Sequence, residues 1–171
     1  MKRLRALPGV AARALEFTIL TGARSGETRG APVTEFDLAK RVWTVPKERM
    51  KEPREHRVPL CARAVQIVEE MRHEAINDLA FPGRKLKKSL SDATMANVLD
   101  ELGASKFTVH GFRSCLSTWA AEETMHQREV VEAALAHAVG DSVERAYRRG
   151  DALAKRRKLM DDWAIFCASA S

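Results

Sequence analysis

Between residues 33 and 60 the chain leaves helical spacing and turns to short β-type runs. Val42-Trp43-Thr44-Val45 and Arg57-Val58-Pro59-Leu60 are rich in β-branched and aromatic residues, and Glu35-Phe36-Asp37-Leu38 suits a third run. The charged segment from Pro46 to His56 joins the two clear runs as a hairpin tip. Pro59 cannot donate to a ladder, so its strand belongs at an edge. Helix-type spacing surrounds this block. The reading is a mostly α (α+β) domain with a small antiparallel sheet of about three strands on one edge.

The helical part divides at clear signals. Pro8-Gly9 breaks the chain, and an apolar helix runs from Val10 to about Leu20, with Gly22 suited to its C-terminal cap. Residues 1–8 read as a linker or an artificial boundary, and residues 9–171 as one domain. A helix from Cys61 to about Ile76 carries Ala64, Ile67, Val68, Met71 and Ala75 on one face. Ser91 is placed to cap a helix bearing Met95, Val98, Leu99 and Leu102, stopped by Gly103. A helix opening at His110 runs to about Glu123, with Phe112, Cys115, Leu116 and Trp119 as its expected buried side. Val130, Val131, Ala134 and Leu135 mark the next helix, ending near His137. The last helix, about Asp151 to Ala168, begins basic and turns apolar. Trp43, Trp119 and Trp163 are expected in the core, and His56, His73 and His126 at the surface or in caps.

Charge and cysteines narrow the class. The net charge of +6 tilts toward a polyanionic partner. Cys61, Cys115 and Cys167 are scattered without C-x-x-C spacing, so neither a disulfide framework nor a zinc site is indicated, and small buried hydrophobes are expected. No apolar run reaches membrane-spanning length.

Six polar residues stand out at the breaks. Arg24 sits in a tight turn between Gly22 and Gly26, with Glu27 placed to hold it or to favour the helix start. Lys51 lies on the hairpin tip. His110 and Arg113 are three apart on one helix, on a side distinct from the expected buried one. His137 closes a helix. Tyr147, the chain's one tyrosine, precedes Arg148 and Arg149. Two guanidiniums can clamp the non-bridging oxygens of a phosphate and stabilise the charge that grows in an in-line displacement. Imidazoles add donors and move protons, and a lysine can protonate a departing oxygen. A tyrosine hydroxyl then serves as nucleophile. No acidic pair suggests a metal, and no cofactor is called for. Arg84, Lys85, Lys87 and Lys88 form a basic loop suited to a nucleic-acid backbone, as do Arg148 and Arg149.

In this order and spacing the chain resembles the catalytic domain of tyrosine recombinases, in particular prophage and genomic-island integrases. The matching segments are Leu20-Thr21-Gly22-Ala23-Arg24-Ser25-Gly26-Glu27, Met50-Lys51 leading to His56-Arg57-Val58-Pro59-Leu60, Phe81-Pro82, His110-Gly111-Phe112-Arg113, Leu135-Ala136-His137 and Ala146-Tyr147. The resemblance implies DNA strand exchange through a covalent 3′-phosphotyrosyl intermediate and a free 5′-hydroxyl. Arg24 and Arg113 would be the phosphate arginines, Lys51 the general acid, His110 and His137 the supporting histidines, and Tyr147 the nucleophile. It further implies double-stranded DNA as partner, a tetramer on DNA for the full-length protein, a fragment that can stand as a monomer, and a bacterial or phage-encoded, cytoplasmic, nucleoid-associated protein. The family's N-terminal DNA-clamping domain has no counterpart in these residues. Glu52 and Glu55 on the hairpin tip depart from what a DNA phosphate favours. Two other readings share parts of this pattern: type IB topoisomerase-like relaxation, and a catalytically idle DNA-binding module using the basic loops.

Overall fold

A computed structural model describes residues 1–73, 78–83, 88–137 and 151–169. Among them are eight α-helices and one three-stranded sheet. The helices are α1 (Lys2–Ala6), α2 (Val10–Thr21), α3 (Ser25–Arg29), α4 (Ala62–His73), α5 (Thr94–Glu101), α6 (Gly111–Glu123), α7 (Arg128–Ala134) and α8 (Leu153–Ser169). The strands are β1 (Phe36–Asp37), β2 (Val42–Val45) and β3 (His56–Pro59).

Helix α2 is the axle of the fold. Every residue from Ala12 to Thr21 is buried, as expected for a helix apolar on most sides. It carries two charges inside, Arg13 and Glu16. Glu16 accepts from Arg13, Arg5 and Arg63 at 2.8, 2.8 and 3.0 Å. Burial is the largest single effect and raises its pKa, but those guanidiniums together outweigh it and hold the carboxyl below the usual range. Arg13 also donates to the carbonyls of Leu4, Arg5 and Leu7. The segment expected to be a linker is therefore helical over Lys2–Ala6, with Leu4 buried.

The sheet order is β1-β2-β3, antiparallel throughout, with Phe36 opposite Trp43 and Val42 opposite Pro59. Pro59 lies on an edge strand, where its missing N–H costs no ladder bond. Phe17 of α2 meets Phe36, Trp43 and Phe81, with ring centroids 5.9, 5.5 and 5.2 Å away. This cluster fixes the sheet to the axle. A second cluster, Trp119, Trp163 and Phe166, fixes α8 to α6, and Trp163 Nε1 donates to the Ile19 carbonyl of α2 at 2.8 Å. The last helix thus packs onto its own domain.

Some local expectations need correction. Ser91 does not cap α5: Ala93 holds the cap position without a side-chain bond, while the Ser91 hydroxyl pairs with that of Thr94 at 2.8 Å. On α6 the buried face is Arg113, Leu116, Trp119 and Ala120. Cys115 is exposed while Cys61 and Cys167 are buried. The i, i+3, i+7 series through Arg113 won because the guanidinium finds carbonyl partners inside, so the charged residue occupies the inward stripe. Gly83 admits no side chain, since a Cβ there would meet Ser89 O at 2.6 Å and Lys88 O at 2.8 Å. Its N–H bonds to Lys88 O and closes the base of the basic loop.

Candidate active site

Three breaks in the chain converge at the C-terminal end of α2. Gly22 ends that helix in the left-handed region, φ 63°. A Cβ there would press on Leu116 and Leu135 side-chain carbons at 3.3 Å, so both backbone angle and space favour glycine. The turn delivers Arg24 to the position preceding α3. Glu27 accepts the Arg24 backbone N–H at 2.9 Å and its Nη1 at 2.8 Å. One buried carboxylate thereby sets both the start of α3 and the direction of the guanidinium. Arg49, just after β2, donates to Gly30 O, to the Glu27 carbonyl and to the Glu35 carboxylate. It ties the root of the β2–β3 connection to α3.

Arg113 enters from α6. Its Nη1 donates to the Gly22 carbonyl, and its Nη2 donates to the Leu135 carbonyl at 2.6 Å. The same Nη2 lies 3.1 Å from His137 Nε2. Its buried Nε has no hydrogen-bond partner among the described residues. Burial, then the neighbouring Arg24 charge, lowers the pKa of Arg113, and Glu27 opposes the shift. Guanidinium stays charged regardless. His137 follows α7, and its Nδ1 lies 2.7 Å from Glu132 Oε2.

His56 corrects the surface assignment made from sequence. At the start of β3 it is mostly withdrawn from water, and its pKa falls to about 4. Burial is the main cause, followed by the Arg156 charge, with Arg113 adding in the same direction and Glu27 opposing. Arg156 itself is buried on α8 and donates to the carbonyls of Arg57 and Asp151 at 2.6 and 2.7 Å. His126 bonds Asp162 of α8 at 2.8 Å, and His73 is exposed.

The residues singled out from sequence divide three ways. Arg24, Arg113 and His137 gather at one place. His110 precedes α6, exposed, one turn before Arg113, and Lys51 is exposed on the β2–β3 connection. Tyr147 lies outside the described residues, as do Arg84, Lys85, Lys87, Arg148 and Arg149, while Lys88 is exposed. Glu132 and His56 were not singled out. Glu132 carries a weak signal, a carboxylate five residues before a helix-terminal histidine. His56 carries none, because its burial depends on α6, α7 and α8 closing over β3. Among the described residues no group of three metal-ligating side chains assembles, and no helix is long and apolar enough to cross a membrane.

Buried Arg113 and half-buried Arg24 thus meet at a helix end beside a small sheet, in a mostly helical domain. Residues 2–153 match the model of the phage integrase family, and the chain belongs to that family. It is 38% identical over 157 residues to prophage integrase IntA of Escherichia coli strain K12, covering 90% of this chain and 38% of that protein. It is 30% identical over 171 residues to the integrase of Enterobacteria phage P4, covering 90% of this chain and 39% of that one. The chain therefore spans about two-fifths of these curated relatives. Its fold is similar to that of an integrase from mycobacterium phage Brujita, with TM-score 0.72 and 21% identity over 94% of this chain and 54% of that chain. XerA recombinase shares the fold less closely, at TM-score 0.55 and 14% identity, over 95% of this chain and 63% of that chain.

Proposed function

We propose that residues 9–171 form the strand-cleaving domain of a site-specific DNA recombinase. It acts on double-stranded DNA, as part of a tetramer in the full-length protein, in the cytoplasm at the nucleoid. The observation that carries this reading is the paired guanidinium site: Arg113 is buried with an Nε that has no partner among the described residues, beside the charge of Arg24. Glu27 pairs with Arg24, and two guanidiniums against one carboxylate leave an excess of positive charge that a further anion would relieve. A DNA phosphodiester is such an anion, and its non-bridging oxygens match the arginine fork.

In this reading Arg24 and Arg113 hold the phosphate and stabilise the charge that grows on its equatorial oxygens. Tyr147 passes its phenolic proton to a neighbouring imidazole and attacks phosphorus, the P–O5′ bond breaks, and Lys51 gives a proton to the departing 5′-oxygen. His110 and His137 flank the phosphate. The phosphotyrosine ester keeps the bond energy, so a 5′-hydroxyl can reverse the step on the same strand or another. Lys88, Arg84, Lys85, Lys87, Arg148 and Arg149 contact the backbone outside the cut.

The test is covalent trapping. The longest natural protein carrying this chain is mixed with a pool of nicked, sequence-randomised duplexes whose cut end diffuses away. Protein–DNA adducts should survive denaturing electrophoresis with the wild type and vanish with Tyr147→Phe. Adducts that persist in that variant overturn the reading. Relaxation of supercoiled plasmid with no enriched site would instead assign the topoisomerase-like activity.

A further inference from the structure

At the C-terminus of α7, His137 is paired with a carboxylate that the reading above leaves unused. Ala136 has φ 51°, its N–H bonds Ala133 O at 3.3 Å, and the His137 N–H bonds Glu132 O at 2.9 Å. These two backbone bonds form a Schellman cap, which sets residues 132 and 137 face to face. A hydrophobic contact commonly fills that place. Here a carboxylate and an imidazole fill it, with Glu132 Oε2 2.7 Å from His137 Nδ1. The other ring nitrogen, Nε2, faces Arg113 Nη2 at 3.1 Å. The Glu132 side chain is 24% exposed and that of His137 is 44% exposed, so the pair borders the buried arginine and opens to solvent.

An ionised carboxylate only accepts, and a guanidinium only donates. A neutral ring between them has one satisfied arrangement: hydrogen on Nδ1, lone pair on Nε2. We infer that Glu132 is a positioning residue that fixes the tautomer and ring orientation of His137 at the phosphate seat. The carboxylate of an acid–histidine pair orients the imidazole in the same way. The role rests on the recombinase reading for its phosphate, but the tautomer does not. In the structure Nε2 receives an N–H from Arg113. When a phosphate takes that N–H, Nε2 can meet a phosphate oxygen only after accepting a proton. Glu132 then lies opposite the imidazolium so formed.

Two measurements test this on the intact chain and on the longer protein. Long-range proton–nitrogen NMR, with His137 assigned by its loss in His137→Asn, should show Nδ1–H and a bare Nε2 above the range where free histidine titrates. Glu132→Ala should shift the ring to Nε2–H, the tautomer free histidine prefers, and Glu132→Gln should retain Nδ1–H because its amide oxygen still accepts. Wild-type Nε2–H, or no change in Glu132→Ala, overturns the inference whatever the enzyme does. In covalent trapping, Glu132→Ala should lower the rate at saturating DNA by about 10- to 100-fold. The half-saturating DNA concentration should stay within about twofold, and Glu132→Asp should recover part of the rate. Wild-type adducts with an unchanged Glu132→Ala rate remove the positioning role and leave the recombinase reading standing. Adducts in Tyr147→Phe remove that reading and leave the NMR result to decide on Glu132. If Glu132→Ala melts early, Glu132→Leu, which keeps bulk at the cap but accepts no hydrogen bond, carries the kinetic arm: a rate equal to wild type would overturn the positioning role.

Discussion

A histidine in a basic enclosure makes the protein sensitive to acid. His56 has its pKa lowered to about 4 by burial and by the charges of Arg156 and Arg113. Its ordinary value is near 6.5. Below that value the unfolded chain binds a proton that the folded chain refuses, so stability rises with pH between the two values. The contribution is complete above pH about 6.5 and is lost as pH falls toward 4. The loss should be on the order of 3 kcal/mol. Urea unfolding across this range should show it in the wild type, and His56→Gln should flatten the slope; equal slopes would sink the assignment. Residue type was readable at Arg24, Arg113 and His137, because a charged side chain at a chain break invites an anion. Burial was not readable. Arg113 lies on the inward stripe of α6 only because Gly22 and Leu135, 91 and 22 residues away, turn carbonyls toward it. No local period encodes that.

At the scale of elements, the end of α7 carries a backbone cost. Ala136 sits at φ 51°, where a Cβ crowds its own carbonyl and costs roughly 1–2 kcal/mol. Glycine removes the clash but frees the unfolded chain, so the two effects partly cancel. Ala136→Gly should therefore stabilise the protein by about 0.5–1 kcal/mol and leave the His137–Glu132 contact in place. Denaturant midpoints at unchanged slope would register it; a fall in midpoint would mean that the Cβ is held by packing that outweighs the strain. Elements with a strong local code were legible. Strand β2 falls on Val42–Val45 as its β-branched run predicts, and α2 stops at the glycine that caps it. Where the code is a lone hydroxyl it misled: Ser91 lies a residue pair too early, and α5 starts after a turn bonded from Thr94 N to Ser91 O. The Schellman cap itself was hidden, because alanine gives no sign of a left-handed residue.

Across the whole molecule, α8 and the Arg24–Arg113 site are tied together by hydrogen bonds to shared backbone. Trp163 donates to Ile19 O, three residues before Gly22, whose own carbonyl receives Arg113. Farther up the same helix, Arg156 grips the Arg57 carbonyl beside His56, and Arg157 donates to the Lys40 and Arg41 carbonyls of the β1–β2 turn at 3.0 and 3.3 Å. The end of the axle, the sheet edge and the last helix are thus joined by side-chain to backbone bonds that no segment could form alone. Trp163 is 3% exposed and stacks with Phe166 at a centroid distance of 5.5 Å. Trp163→Ala would remove a large buried side chain and leave the Ile19 carbonyl with only the longer bond from the Gly22 N–H at 3.4 Å. The expected cost is about 3–5 kcal/mol. For a chain of this size that lowers the thermal midpoint by about 10 °C. Because the lost bond anchors the end of α2, the rate of adduct formation at saturating DNA should fall as well, at a temperature where the variant remains folded. Arg156→Ala should also destabilise but act through the sheet edge, so the two losses should add, as they do for sites without shared partners. A Trp163→Ala protein that melts within about 3 °C of wild type, a shift worth roughly 1 kcal/mol, would show that α8 is not docked on this domain in solution.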